Sequence, residues 1–377
     1  MAKILMVNVP YSGHTNPTLP LAKRLVERGH QVTYINAPEW KERIEATGAL
    51  FVPYMDYPEG LPERQQMVRC FKAAYNTAME VGAGHDLLIY EMFFYLGKTV
   101  AERLGIPAVR QFSQLAWTKV GTGLIPLLFV ISCHLLGTQV LKRRVAIELG
   151  VKDKRLVDSV LHDKIPLNIV YLPERFHPCR QDLDETYVFC IPLLEPVAQP
   201  VDTDRRIPYE KMARPVIYIS IGTILSSRFF YKRCIKAFGN KECSVILNTG
   251  KVRPETLGKI PPNIWAYSFV PQLEVLQHAD LFITHGGMNS VNEAMYHGVP
   301  MLAMPIMNDQ PINAEQVVRL KLGKKLRMLS TAEALYKQAM AVLNNREIKE
   351  ECKKMKDEMK SGIALDDVID MIEACLL

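Results

Sequence analysis

One stretch constrains the fold of this chain more than any other. Leu281, Phe282 and Ile283 form a short apolar run, His285-Gly286-Gly287 follow at once, and Met288 to Tyr296 carry a helical pattern closed by Gly298 and Pro300. A strand that passes through a glycine pair into a helix is a βα unit, and short buried strands alternating with helices imply a parallel, doubly wound sheet. The start of such a helix exposes backbone N–H groups at the positive end of its dipole, which makes the junction a site for a phosphate.

The side chains at this junction suit the same ligand. Asn289 and Ser290, in the first helical turn, can donate to phosphate oxygens, and His285 is a further donor just before the glycines. Glu293 lies one turn beyond Asn289 on the same face and can accept from a ribose diol. Each residue also has an ordinary explanation: Asn289 as a helix cap, the glycines as a turn, Glu293 as a solvated charge. Their combination favours a nucleoside diphosphate.

The N-terminal half alternates in the same way. A strand spans Lys3 to Val9, a helix Pro20 to Arg28, and a second strand Gln31 to Asn36; strand Leu87–Tyr90, helix Leu96–Leu104 and strand Ala108–Gln111 continue the pattern. No GxGxxG follows the first strand, which argues against a dinucleotide site in this half. Tyr11-Ser12-Gly13-His14-Thr15-Asn16-Pro17 stands there instead. His14 leaves the carboxyl end of a strand, where ligands of parallel α/β sheets sit. It is either a general base or a loop histidine bonded to a helix N-terminus.

A second α/β pattern begins at Val216–Ser220, with Ile221-Gly222-Thr223 after it, and continues through strands Ser244–Asn248 and Ile264–Tyr267. Between the two patterns Pro, Asp, Gln and Arg dominate, and Pro196, Pro200 and Pro208 break any periodicity, as in an interdomain linker. A chain of 377 residues with 48% hydrophobic content can bury two cores of ordinary size.

The net charge of +6 comes from 46 basic and 40 acidic residues spread along the chain and makes no case for nucleic acid. Eight cysteines show no CxxC pair and no metal-ligand spacing, so reduced thiols and a cytoplasmic location are expected. The N-terminal apolar run is too short for a secretory signal. No charged residue falls between Lys119 and Lys142, but Gly121, Gly123, Pro126, His134, Gly137 and Gln139 interrupt that segment. A buried helix or an acceptor wall is expected there rather than a transmembrane span, with a peripheral membrane contact left open.

Together these residues resemble the nucleotide-sugar signature of the family 1 glycosyltransferases, and the bacterial macrolide-type members in particular. The segment has Phe269-Val270-Pro271-Gln272, His285-Gly286-Gly287-Met288-Asn289-Ser290, Glu293, Gly298-Val299-Pro300 and Asp309-Gln310 where that signature has its Trp-Ala-Pro-Gln, His-x-Gly-x-Asn-Ser, Glu, Gly-Val-Pro and acidic-Gln positions. Gly13-His14-Thr15-Asn16-Pro17 fits the family's Gly-His-x-x-Pro element, whose histidine is catalytic. The resemblance implies the GT-B fold: two Rossmann-like doubly wound parallel-sheet domains facing a cleft. It implies an acceptor domain over 1–195, a linker over 196–214, a nucleotide-sugar domain over 215–355, and a C-terminal helix within 356–377 returning to the first domain.

The same resemblance assigns residues. His14 is the expected base, with Glu91 as its carboxylate partner in place of the family's usual Asp. Donor contacts are expected from Ser220, Gly222, Thr223, Phe269, Val270, Gln272, His285, Gly287, Met288, Asn289, Ser290, Glu293, Asp309 and Gln310. Phe269 replaces the tryptophan that stacks on the base, which leaves UDP and dTDP both open. Phe71, Phe93, Phe112, Trp117 and His134 are candidates for an acceptor wall, although aromatic side chains serve any core equally well. The expected reaction is inverting transfer of a hexose from a UDP-sugar to a hydroxyl of a hydrophobic small molecule. No metal or other cofactor is expected, and the chain is expected to be a monomer or weak dimer. A nucleotide-sugar epimerase of the same architecture and a non-catalytic partner of another transferase are the alternatives.

Overall fold

A computed structural model describes residues 1–61, 63–118, 143–151, 156–192, 194, 207–222, 227–306 and 309–376. Thr223, His134, most of the expected linker and the uncharged segment lie outside the described residues. The chain divides into two compact units, one of Met1–Glu195 with Gly362–Leu377 and one of Pro196–Ser361.

The first unit carries a seven-stranded sheet in the order β3-β2-β1-β4-β5-β6-β7, with every pairing parallel. The strands are β1 Lys3–Val7, β2 Gln31–Asn36, β3 Leu50–Pro53, β4 Leu87–Glu91, β5 Ala108–Phe112, β6 Leu167–Val170 and β7 Tyr187–Phe189. The central strands β4 and β5 are buried at all five positions, whereas the edge strand β3 is exposed at both ends. That contrast explains the continuous apolar runs of the sequence, because a strand covered on both faces has no polar side to alternate with. Arg110 of β5 is fully buried and satisfied: Nε donates to Asn168 Oδ1 at 2.8 Å, Nη1 to the carbonyls of Ser159 and Val160, and Nη2 to the Tyr187 hydroxyl. It ties β5 to β6, β7 and the Leu156–His162 helix.

The second unit repeats the plan with six parallel strands in the order β10-β9-β8-β11-β12-β13. These are β8 Val216–Ser220, β9 Ser244–Asn248, β10 Ile264–Tyr267, β11 Leu281–Thr284, β12 Met301–Ala303 and β13 Gly323–Lys325. Both sheets therefore grow outward in two directions from a central pair, β1/β4 in one and β8/β11 in the other. At such a reversal the connections leave toward opposite faces and a crevice opens beyond the carboxyl ends of the pair.

Helix Leu365–Ala374 packs in the first unit against helix Leu19–Glu27 and β6, with Leu365, Val368, Ile369 and Ile372 buried. Ion pairs rim this contact, from Arg24 to Asp366, from Arg28 to Asp370 and Glu373, and from His30 Nε2 to Glu373 at 2.9 Å. The rim is exposed and screened, so the apolar stripe supplies most of the docking energy. Among the described residues no helix is long and apolar enough to cross a membrane. Replacing Ile369, which is 0% exposed, with Ala should cost about 2 to 4 kcal/mol in chemical denaturation, and Asp366→Ala should cost distinctly less.

Candidate active site

The loop after β1 carries His14 to the β1/β4 reversal, where Val7 and Tyr90 are the last paired residues. A buried polar net holds this loop. The Asn8 amide donates to the His14 carbonyl at 3.3 Å, to Thr18 Oγ1 at 2.9 Å and to the Tyr34 hydroxyl at 2.9 Å. Thr15 Oγ1 donates to the Val9 carbonyl, and Trp40 Nε1 to that of Pro10. His14 is thus set in place by its backbone as well as by its ring.

The ring itself meets Glu91, the last residue of β4. His14 Nδ1 lies 2.9 Å from Glu91 Oε1, with Glu91 fully buried and the imidazole 19% exposed. The other carboxylate oxygen accepts from the Phe93 backbone N–H at 2.8 Å. Ser113, one residue beyond β5, donates to Glu91 Oε1 at 3.0 Å and stands 2.9 Å from the same His14 Nδ1. With its proton given to the carboxylate, the serine oxygen is an acceptor toward the ring. Both neighbours of Nδ1 therefore ask for a proton there, which leaves the lone pair on Nε2. Phe93 meets the ring edge-on at 4.7 Å, Tyr11 does so at 5.9 Å, and Trp117 packs on Phe93 at 5.9 Å.

Four strand ends build the second candidate site, around the β8/β11 reversal where Ser220 pairs with Thr284. Gly222 follows β8, and His285-Gly286-Gly287 follow β11. The N-cap of helix Met288–His297 is Gly287, and no side chain caps it, so Asn289 is an interior residue of the first turn rather than a cap. His285 lies between two glycines: a Cβ at Gly222 would stand 2.8 Å from its Cε1, and one at Gly287 would stand 2.6 Å from its Nε2. Gly222 also has φ +80°, a conformation that a side chain disfavours. Burial pushes the His285 imidazole down to about 4, so it is neutral at pH 7, and its buried Nδ1 has no hydrogen-bond partner among the described residues. A neutral imidazole can offer an N–H donor but no positive charge.

Glu293 is not a solvated charge. It accepts from the Gln272 amide, which also donates to Ser290 Oγ at 3.2 Å, and burial raises its carboxyl to about 7. Asp309 and Gln310 open helix Gln310–Arg319 after β12. Asn313 Nδ2 joins Asp309 Oδ2 at 2.7 Å to the Gly286 carbonyl at 2.9 Å, and Gln310 Oε1 accepts from the Ile306 N–H. Phe269 is 43% exposed, while Val270 and Met288 are buried.

Two acceptor candidates need correction. Phe112 is fully buried between the Arg110 guanidinium and Tyr187, and Phe71 is buried against Tyr95. Both are core residues of the first unit: Phe112 ends β5, which is buried at every position, and Phe71 lies on the buried side of helix Glu63–Val81. Phe93 and Trp117 remain half-buried beside His14. Ser113, Asn248 and Asn313 went unforeseen. Only their place, at or just past a parallel strand end or one turn into the following helix, could have pointed to them.

Two doubly wound parallel units are the GT-B architecture, and each gathers polar groups at its strand reversal. A solved structure similar over 100% of this chain and 98% of its own is that of CalG4, the calicheamicin glycosyltransferase, with a TM-score of 0.80 and 27% identity. The family profile described as UDP-glucoronosyl and UDP-glucosyl transferase matches residues 207–360. The NDP-glycosyltransferase YjiC of Bacillus subtilis (strain 168) is 31% identical over 98% of this chain and 96% of its own length. The oleandomycin glycosyltransferase of Streptomyces antibioticus is 28% identical over 99% and 90%. The chain belongs to the UDP-glycosyltransferase family.

The glycine sandwich around His285 makes a direct prediction. Gly287→Ala should destabilise the second unit by about 1 to 3 kcal/mol in denaturant unfolding. Adding His285→Ala should recover most of the loss. Equal stability of Gly287→Ala and wild type would show that the ring has room to move.

Proposed function

We propose that this chain transfers a hexose, with glucose the first candidate, from a UDP-sugar to a hydroxyl of a hydrophobic small molecule, with inversion at the anomeric carbon. The observation that carries the reading is the contact of His14 Nδ1 with Glu91 and Ser113. Glu91 and Ser113 hold the proton on Nδ1, so Nε2 presents a lone pair to an acceptor hydroxyl. As Nε2 takes that proton, the oxygen attacks the anomeric carbon and the nucleoside diphosphate departs from the opposite face. The buried Glu91 carboxylate stabilises the imidazolium that forms.

On the donor side, the first-turn amides of helix Met288–His297 with Asn289, Ser290 and His285 take the diphosphate, and Ser220 and Gly222 line it from β8. Glu293 takes the ribose diol, Phe269 stacks on the base, and Asp309 and Gln310 take the sugar hydroxyls. Charge on the leaving group is met by oriented N–H dipoles, and the scheme uses no metal. The acceptor class is supported by relatives named for oleandomycin and calicheamicin and by the aromatic edges of Phe93 and Trp117 around His14. No disulfide forms among the described cysteines, in keeping with a cytoplasmic location. A nucleotide-sugar epimerase needs no acceptor base, and a non-catalytic partner needs no oriented one, so the His14 geometry favours transfer over both.

Incubation with UDP-glucose and a panel of phenols and macrolides should give products heavier by one hexose. His14→Ala should lower turnover by about two to four decades while UDP affinity, read by calorimetry, stays within about twofold. An unchanged rate would remove His14 from the mechanism.

A pH dependence of donor binding also follows. An ionised Glu293 accepts ribose hydroxyls more strongly than the protonated acid does, and its pKa of about 7 exceeds the ordinary 4.5. UDP affinity should therefore rise with pH across roughly pH 6 to 8 and level off above it, with a slope of at most about tenfold per pH unit. His285, near 4, is neutral throughout that window. Glu293→Gln should flatten the profile; a wild-type profile already flat would place the ribose elsewhere.

A further inference from the structure

Beneath the Glu293 end of the second site lies a chain of side-chain bonds that the transfer chemistry leaves unexplained. Tyr218, in the middle of β8, is 0% exposed and stacks on Phe282 of β11 at 4.7 Å and 11°. Its hydroxyl donates to Gln272 Oε1 at 2.9 Å. The Asn248 amide, at the end of β9, reaches the Tyr218 oxygen at 3.5 Å and Ser220 Oγ at 3.4 Å. At the other end the Gln272 amide nitrogen donates to the Glu293 carboxylate and to Ser290 Oγ.

We propose that Tyr218 is a positioning residue for the donor: its hydroxyl fixes which end of the Gln272 amide faces Glu293, and so holds that carboxylate in place for the ribose. The proposal rests on the nucleoside diphosphate reading of this site.

The reasoning is one of direction. The two ends of a glutamine amide are nearly alike in shape, so only hydrogen-bond partners decide which way it points. Once ionised, above about pH 7, the Glu293 carboxylate only accepts, and a flipped Gln272 would then set oxygen against oxygen there. Tyr218 blocks that flip from the other end. Asn248 approaches the phenol oxygen as a donor, which leaves the phenol proton for Gln272 Oε1. Burial raises the pKa of the phenol, so this proton stays in place across the working pH range. The order Asn248 to Tyr218 to Gln272 to Glu293 is then set from inside the sheet, by a residue that stands one side chain back from the ligand. Chains of this kind act as units, and deleting one link is felt at the far end.

Tyr218→Phe tests this with little disturbance, because the ring still stacks on Phe282. UDP dissociation constant and donor KM should rise by about three- to tenfold, the worth of one net hydrogen bond. Turnover at saturating donor should stay within about twofold, and acceptor KM should not move. UDP affinity unchanged in Tyr218→Phe would overturn the proposal. A double-mutant cycle adds a readout that a merely structural role would not give. Once Glu293→Gln is in place, the Tyr218→Phe penalty should largely vanish, whereas full additivity would also overturn the relay. Should Tyr218→Phe fold poorly, Asn248→Leu, which removes the donor on the Tyr218 oxygen, carries the test: it should weaken UDP binding, and much less so once Glu293→Gln is in place, whereas no weakening or full additivity overturns the relay. Wild-type protein that binds no UDP, or Glu293→Ala that binds it as tightly as wild type, would defeat the site reading itself. A responsive Glu293 with an indifferent Tyr218 would defeat only the relay.

Discussion

The reversal of strand order at β1/β4 and again at β8/β11 is the constraint from which the chemistry of this protein follows. Where two adjacent parallel strands send their connections to opposite faces, nothing crosses over their carboxyl ends. Residues at those ends or up to seven positions past them are the ones that meet there. In the first unit they are His14 and Glu91, with Ser113 joining from the next strand out. In the second they are Gly222 and His285, with Asp309 reaching in after β12. The sheets need only ordinary apolar packing to produce both gatherings.

The two histidines show how surroundings divide one side chain into two roles. His14 stands between a buried carboxylate and solvent, so its proton is held on one nitrogen and its basicity is directed out through the other. His285 stands between two backbone segments too close for any Cβ, and burial keeps it neutral. The first arrangement receives a proton; the second offers a hydrogen bond without adding charge. The difference comes from what β4 and β8 deliver beside each ring: a Glu in one case and a Gly in the other.

Much of this was legible in the residues. The apolar runs predicted β2, β8, β9 and β10 with the bounds observed, because a buried parallel strand cannot hide its composition. The His285-Gly286-Gly287 junction and the His14 loop stood out because glycine and histidine beside a strand end have few structural uses. Less visible was anything whose role depends on the neighbour across the sheet. Ser113 looks like any loop serine until β4 is set beside β5, and Tyr218 looks like any strand tyrosine until Gln272 is brought over it. Phe71 and Phe112 were misplaced for the converse reason, since an aromatic ring, whether on helix Glu63–Val81 or at the end of β5, carries no mark of which way it turns.

The first unit takes residues from both ends of the chain, while the second is one unbroken segment. On a ribosome the order of completion therefore inverts the order of synthesis. Residues 196–361 can close their sheet as soon as they emerge, but the segment made first waits for Leu365, Val368, Ile369 and Ile372 before its apolar surface is covered. Until then the nascent N-terminal half carries an open greasy stripe, and chaperone capture or aggregation during translation should concentrate there rather than in the later-made half.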